Sequence, residues 1–173
     1  LDHLIDTSLT YARFEREAPE AHFSSVQFAS WLEDEVEAVR LLGRNLNITV
    51  DTSPLPEKLS IDLDRKAMPY ALRNLLRNAF KYAGKEVTVS AEILGEQIVI
   101  HVDDDGIGIP PEEREHVFSA FTRLDRSRDR STGGYGLGLA ITRRVLELHG
   151  GSATADASPL GGARFTLSWQ AQQ

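Results

Sequence analysis

Three polar blocks punctuated by glycine lie at the ends of predicted elements, and they narrow the folds open to this chain. They are Asn74-Leu75-Leu76-Arg77-Asn78-Ala79-Phe80-Lys81-Tyr82, Asp104-Asp105-Gly106-Ile107-Gly108, and Gly134-Tyr135-Gly136-Leu137-Gly138-Leu139. The first closes a helix, the second follows a strand, and the third opens another helix. A fold that uses all three must bring a helix face, a strand end and a helix N-terminus together. An adenine, a magnesium ion and a triphosphate need the groups they offer. Those groups are amide oxygens with a cation and an aromatic, a carboxylate beside a flexible turn, and a glycine-rich entry to a helix.

The pattern around the blocks predicts an α+β chain. Residues 22–26 read as a short strand, and residues 28–42 as an amphipathic helix (Trp31, Leu32, Val36, Val39, Leu42) closed by Gly43. Two short strands, 46–50 and 59–63, follow, with Pro54 and Pro56 marking the turn between them. Asp64 is placed to cap a long helix reaching Tyr82, with Gly84 just beyond its end. Residues 86–94 and 97–102 form a hairpin about Gly95-Glu96, and a helix runs from Leu137 to Leu148. Two last strands, 152–157 and 163–169, flank Pro159-Leu160-Gly161-Gly162. Most strand pairs read as hairpins, so the expectation is a mixed sheet with helices layered on one face.

At its start the chain carries an apolar stripe over residues 1–17 (Leu1, Leu4, Ile5, Leu9, Ala12, Phe14), ended by Ala18-Pro19-Glu20. It suits a helix docked on the domain body or half of a helical hairpin. The chain opens in mid-pattern without an initiator Met, which suggests a piece of a longer protein. Net charge is -7, which argues against a nucleic-acid footprint, and the absence of cysteine excludes disulfides and thiolate metal sites. No apolar run approaches the roughly 20 residues that cross a bilayer.

In the first block Asn74 and Asn78 are spaced i, i+4 and share a helical face with Lys81 and Tyr82. An Asn carbonyl is a hard neutral ligand suited to magnesium, and Lys81 can neutralise phosphate. The same residues also suit a plain solvated face. In the second block a carboxylate can accept a hydrogen bond from the exocyclic amino group of adenine. An acidic β-turn is the simpler alternative, and the ligand spacing of a calcium loop is absent. In the third, a glycine-rich entry to a helix makes an anion site, preceded by Arg123, Arg126, Arg128 and Arg130 in a segment that can close over phosphates. Neither a Walker loop nor a dinucleotide fingerprint fits that spacing.

As an ordered set these residues resemble the ATP-binding catalytic domain of sensor histidine kinases, within the fold shared with type II topoisomerases, Hsp90 and MutL. The likeness covers residues 22–169. Residues 74–82 look like the family's N box, 104–108 like G1, Phe118-Ser119-Ala120-Phe121 like the F box, and 134–139 like G2. Residues 161–165 look like its last glycine turn. Leu1-Asp2-His3-Leu4-Ile5-Asp6 and Arg130-Ser131-Thr132-Gly133-Gly134 are similar to the RstB type within that family.

The resemblance implies a two-layer α/β sandwich of the Bergerat type, with a flexible ATP lid near residues 122–133. Residues 22–173 would be the ATP-binding domain, and residues 1–21 the end of a second dimerisation helix with its linker. It implies ATP and Mg2+ as cofactors, with Asn78 on the metal and Asn74 in support. Asn78 and Lys81 would serve transfer, and Tyr82 would contact the nucleotide. Asp104 would bind the adenine amino group, with Gly106, Gly108 and Ile109 around it. Arg123 and Arg130 from the lid, and Gly134, Gly136, Leu137, Gly138 and Leu139 from G2, would complete the site.

The topoisomerase-like relatives carry Glu where this chain has Asn74, and an amide cannot act as general base for water. Transfer of the γ-phosphoryl group to an outside nucleophile is the better fit. That nucleophile is a His in an H-[ED]-x-x-x-P context, which none of His3, His22, His101, His116 or His149 has. The acceptor helix would therefore lie upstream, and this chain would bind ATP without phosphorylating itself. Implied partners are its own dimerisation and phosphoacceptor domain, a response regulator, and a second copy in a full-length homodimer. The domain would be cytoplasmic, on a protein anchored in the bacterial inner membrane. Two other readings stay open: a nucleotide-gated interaction module, and an ATPase of the topoisomerase or mismatch-repair kind.

Overall fold

A computed structural model describes residues 20–43, 45–119 and 138–173. The stripe over residues 1–17, the lid residues Arg123 and Arg130, and Gly134, Gly136 and Leu137 lie outside the described residues. Among the described residues are seven strands and three α-helices. In chain order they are β1 (Phe23–Gln27), α1 (Phe28–Val39), β2 (Asn47–Asp51), β3 (Ser60–Asp64), α2 (Ala67–Tyr82), β4 (Glu86–Leu94), β5 (Gln97–Asp104), α3 (Gly138–Leu148), β6 (Ser152–Ala157) and β7 (Ala163–Gln170).

The main sheet has the order β2-β4-β5-β7-β6 and is mixed: β2 runs parallel to β4, and the other pairs are antiparallel. Two of its pairings are the predicted hairpins, β4–β5 and β6–β7. Gly95 supplies a positive φ of 62° at the first tip, the conformation a tight turn demands and glycine adopts at no steric cost. The two strands expected to meet across Pro54 and Pro56 part company instead. β3 pairs with β1 in a separate two-stranded sheet, and β2 joins β4. A parallel pair needs a crossover of a dozen or more residues, here β3 and α2, and no local turn signal announces it.

The apolar stripes of the helices explain the packing. Phe28, Leu32, Val36 and Val39 of α1 are buried, as are Met68, Ala71, Leu72, Leu75, Leu76 and Ala79 of α2 and Ile141, Val145 and Leu146 of α3. They share one core with the inward strand residues Val87, Val89, Ile98, Ile100, Val102, Phe165, Leu167 and Trp169. α1 ends at Val39 and continues only as a 3-10 turn, Arg40–Gly43, so its regular part is shorter than its periodicity predicts.

Asp64 performs the capping expected of it, although regular helix begins only at Ala67. Its Oδ1 accepts the N–H groups of Lys66 (2.9 Å) and Ala67 (3.0 Å), and its Oδ2 accepts the N–H of His22 (2.9 Å). Burial raises the pKa of this carboxyl, but the three N–H groups outweigh burial and hold it below the ordinary value. The N–H of Asp64 in turn donates to Nε2 of the buried His149 (3.0 Å). This fixes the neutral tautomer, with Nδ1–H donating to Val145 O (2.8 Å). One junction thus joins the entry to β1, the start of α2 and the end of α3.

Candidate functional site

β5 ends in Asp103 and Asp104, which strand alternation sends to opposite faces, and Asp105 follows just past its end. Asp103 faces its register partner Arg164 on β7 and forms a forked ion pair (2.8 and 3.0 Å), which raises the Arg164 pKa further. Asp104 points inward and is 1% exposed. Asp105 turns toward the start of β4, where its Oδ1 accepts N–H groups from Gly84 (2.8 Å), Lys85 (3.0 Å) and Glu86 (3.1 Å).

Asp104 is held by backbone donors on one oxygen. Its Oδ1 accepts the N–H groups of Gly106 (2.9 Å) and Ala163 (3.1 Å), while its own carbonyl accepts the N–H of Gly162 (3.1 Å). Among the described residues no hydrogen bond reaches Oδ2. The one fully enclosed side-chain polar atom without a partner among the described residues is Arg144 Nε, so Oδ2 keeps an opening. Burial raises the Asp104 pKa against the pull of its two N–H donors, and the charges of Asp105 and Asp103 add to the rise. A dry carboxylate with one oxygen locked and the other free is an acceptor waiting for a donor.

Two glycines make that corner possible. A Cβ on Gly162 would fall 2.2 Å from Asp104 Oδ1, and one on Gly106 would fall 2.1 Å from the carbonyl oxygen of Tyr82. The second contact seats the G1-like turn directly on the last turn of α2. Gly108 adopts φ +74°, facing the Gly162 carbonyl, and Ile109 is buried behind it.

The helix face that carries the first block meets the start of α3. Asn74 is 7% exposed, so the plain solvated reading fails for it. A Cβ added to Gly138, the first residue of α3, would lie 3.7 Å from Asn74 Oδ1. The hydroxyl of Thr142, one turn on, donates to Ala71 O (2.9 Å) and ties α3 to α2. Asn78 and Tyr82 are half-buried, and Lys81 is exposed, with Nζ 5.3 Å from the Tyr82 ring centroid. Leu139 is half-buried at the α3 entry. Of the F-box-like residues, Phe118 is buried edge-on to Phe165, with centroids 6.1 Å apart.

So α2, which carries the first block, touches the 104–108 turn at its C-terminal end and, at its middle, Gly138 at the α3 entry. Among the described residues no group of three His, Cys, Asp or Glu side chains could hold a metal ion. An ion here would need oxygens from a ligand, with the Asn78 amide as the protein's contribution. Sequence reasoning missed the anchoring roles of Asp103 and Asp105 and the backbone donors at Gly162 and Ala163. The Gly161-Gly162 pair before a strand was the signal for the last two, and nothing in three adjacent Asp residues separates their tasks.

Comparisons with known proteins give a consistent picture. A family model described as histidine kinase-, DNA gyrase B- and HSP90-like ATPase matches residues 63–173. The sensor protein RstB of Escherichia coli (strain K12) is 42% identical over 169 residues, covering 98% of this chain and 39% of that protein. The sensor histidine kinase CpxA of the same strain is 39% identical over 126 residues, covering 73% of this chain and 27% of that protein. The chain therefore spans well under half the length of either relative. Among solved structures, full-length ShkA in complex with AMPPNP superimposes with a TM-score of 0.82 at 27% identity, over 96% of this chain and 35% of that one. The mycobacterial sensor histidine kinase MprB gives a TM-score of 0.72 at 27% identity, over 87% of this chain and 99% of that one.

Proposed function

Because this chain belongs to the histidine kinase-, DNA gyrase B- and HSP90-like ATPase family, we propose that it is the ATP-binding catalytic part of a two-component sensor kinase. It binds Mg-ATP and presents the γ-phosphoryl group to a His on a dimerisation helix, which passes the group to a response regulator. In this reading residues 1–21 are the tail of that helical unit with its linker, and residues 22–173 are the catalytic domain. The full protein is a homodimer in the bacterial inner membrane with this domain on the cytoplasmic side. The sensor proteins among its relatives support that setting.

The observation that carries the reading is the unfilled Oδ2 of Asp104, an acceptor left open on a carboxylate otherwise buried and held by backbone N–H groups. Adenine offers an amino N–H donor at its 6-position, where guanine has a carbonyl. Gly106 seats the corner against the Tyr82 carbonyl, Ile109 is buried just beyond the 104–108 turn, and Lys81, one residue before Tyr82, would meet the phosphates. Asn78 has the chemistry to hold magnesium together with phosphate oxygens. Bound magnesium would neutralise charge on the phosphates during transfer. The amide at Asn74, packed against Gly138, takes the place where hydrolytic relatives need a base. Asn74 therefore orients its surroundings and leaves water unactivated. The entry to α3, with Gly138 and Leu139, offers its N–H groups to phosphate, as do Gly134, Gly136 and Leu137 before it. Arg123 and Arg130 would supply further positive charge to the phosphates.

The test is transfer from γ-labelled ATP onto a separately supplied dimerisation domain. Label on that domain, with little phosphate released by this chain alone, is the expected result. Tight binding without transfer would favour a gated interaction module, and vigorous magnesium-dependent hydrolysis would favour a topoisomerase-like ATPase.

A further inference from the structure

We propose that Asp105 is a positioning residue for the purine: its carboxylate locks the α2–β4 loop to the 104–106 turn and so aims Asp104 Oδ2 at the base. This rests on the adenine reading of Asp104 given above. Asp105 collects three successive backbone N–H groups on Oδ1, and Lys85 N–H also reaches Oδ2 at 3.1 Å. Those donors sit in the loop that leaves α2, from Gly84 to the first residue of β4. The next residue along the chain, Gly106, presses its Cα against the Tyr82 carbonyl and donates its own N–H to Asp104 Oδ1.

A continuous path results. The α2–β4 loop holds Asp105, Asp105 fixes Gly106, and Gly106 fixes the orientation of the Asp104 carboxylate. A negative group beyond a helix C-terminus is unfavourable toward the helix dipole. Its presence here is balanced by the N–H groups it receives, which also hold its pKa below the ordinary value. A surface acid would serve stability equally well elsewhere on the domain. What this position alone provides is a common reference for Asp104 on one side and for Lys81 and Tyr82 on the other.

The experiment compares ATP with its analogue bearing hydrogen in place of the 6-amino group, by calorimetry on the wild type and on Asp105→Ala, Asp105→Asn and Gly84→Pro. In the wild type, loss of the amino group should weaken binding at least about tenfold, the size of one hydrogen bond to a charged group. In Asp105→Ala, ATP itself binds more weakly and the amino-group factor shrinks to below about threefold. Asp105→Asn, whose Oδ1 still accepts, keeps most of the factor. Gly84→Pro deletes one donor and sets a ring carbon where that N–H pointed at Oδ1, displacing the carboxylate without changing its charge, and Ala83 already has the extended backbone (ψ 144°) that a following Pro requires. It should give a partial loss, and it keeps the idea testable if Asp105→Ala fails to fold. A full amino-group factor in both Asp105→Ala and Gly84→Pro overturns the positioning role while leaving the adenine site intact. No factor in the wild type overturns the adenine site itself, and the positioning role with it.

Discussion

Asp64 and Asp104 both end a strand, both are nearly inaccessible, and both are held by backbone N–H groups, yet they do opposite things. Asp64 uses both oxygens: two donors at the start of α2 fill one, and His22 fills the other. Asp104 uses one oxygen and leaves the second open. The finished carboxylate is pulled below the ordinary aspartate pKa and the unfinished one is pushed above it. Burial alone does not distinguish a structural acid from a binding one. The count of donors on each oxygen does, because a carboxylate oxygen that the fold leaves open and without a donor must take one from outside, from water or a ligand.

The contrast breaks most visibly at its structural pole. Asp64→Ala removes a helix cap and strands the His22 N–H, so unfolding free energy should fall by about 3 kcal/mol. ATP affinity of the folded fraction should stay within about twofold of wild type. Urea denaturation alongside calorimetry checks both, and a large affinity loss at full stability would reverse the roles assigned to the two acids. At the binding pole, Asn78→Ala should lower magnesium-dependent transfer by about a hundredfold, near 2.7 kcal/mol, while ATP without magnesium binds as before. Normal transfer would remove Asn78 from the metal.

Acid titration separates the two aspartates in one sample. Asp64, depressed from 3.8, stabilises the fold above that value, and its contribution is lost as pH falls below 3.8 toward its folded pKa. His149, depressed from 6.5 by burial, is neutral in the fold, so stability already declines as pH drops below 6.5 toward its lower folded value. Asp104 is raised, so it takes up a proton at a pH above 3.8, and ATP affinity should begin to fall there, before the Asp64 contribution to stability is lost. Melting temperature and nucleotide affinity measured against pH would show affinity falling ahead of the Asp64 stage. A single stability transition, with affinity lost only below 3.8, contradicts the assignment. Smallest of all, Glu37→Ala breaks an exposed ion pair to Arg40 while keeping the Arg40 bond to Ile48 O, and should change stability by less than about 1 kcal/mol.

Much of this was legible in the residues, for reasons the elements make plain. Helix stripes such as Leu72, Leu75, Leu76 and Ala79 repeat at the helical period, and hairpins announce themselves through Gly95 and Gly161. The cap at Asp64 is a local event and was readable as one. Pairing between distant strands was not: β1 finds β3, and β2 finds β4, across segments whose turn residues say nothing of register. At the candidate site, block order pointed to convergence, but the burial of Asn74 and the division of labour among Asp103, Asp104 and Asp105 depend on neighbours from β7 and the α2–β4 loop. Those neighbours lie about 20 to 60 positions away along the chain.

Calorimetric titration of Mg-ATP into the wild type and Asp104→Asn tests the central claim most directly. The amide can still accept the Gly106 and Ala163 N–H groups on its oxygen, but it turns an NH2 toward the purine. Affinity should drop at least tenfold, about 1.4 kcal/mol, with the urea midpoint of the fold kept. Equal affinity in the two proteins would mean that Asp104 does not meet the base.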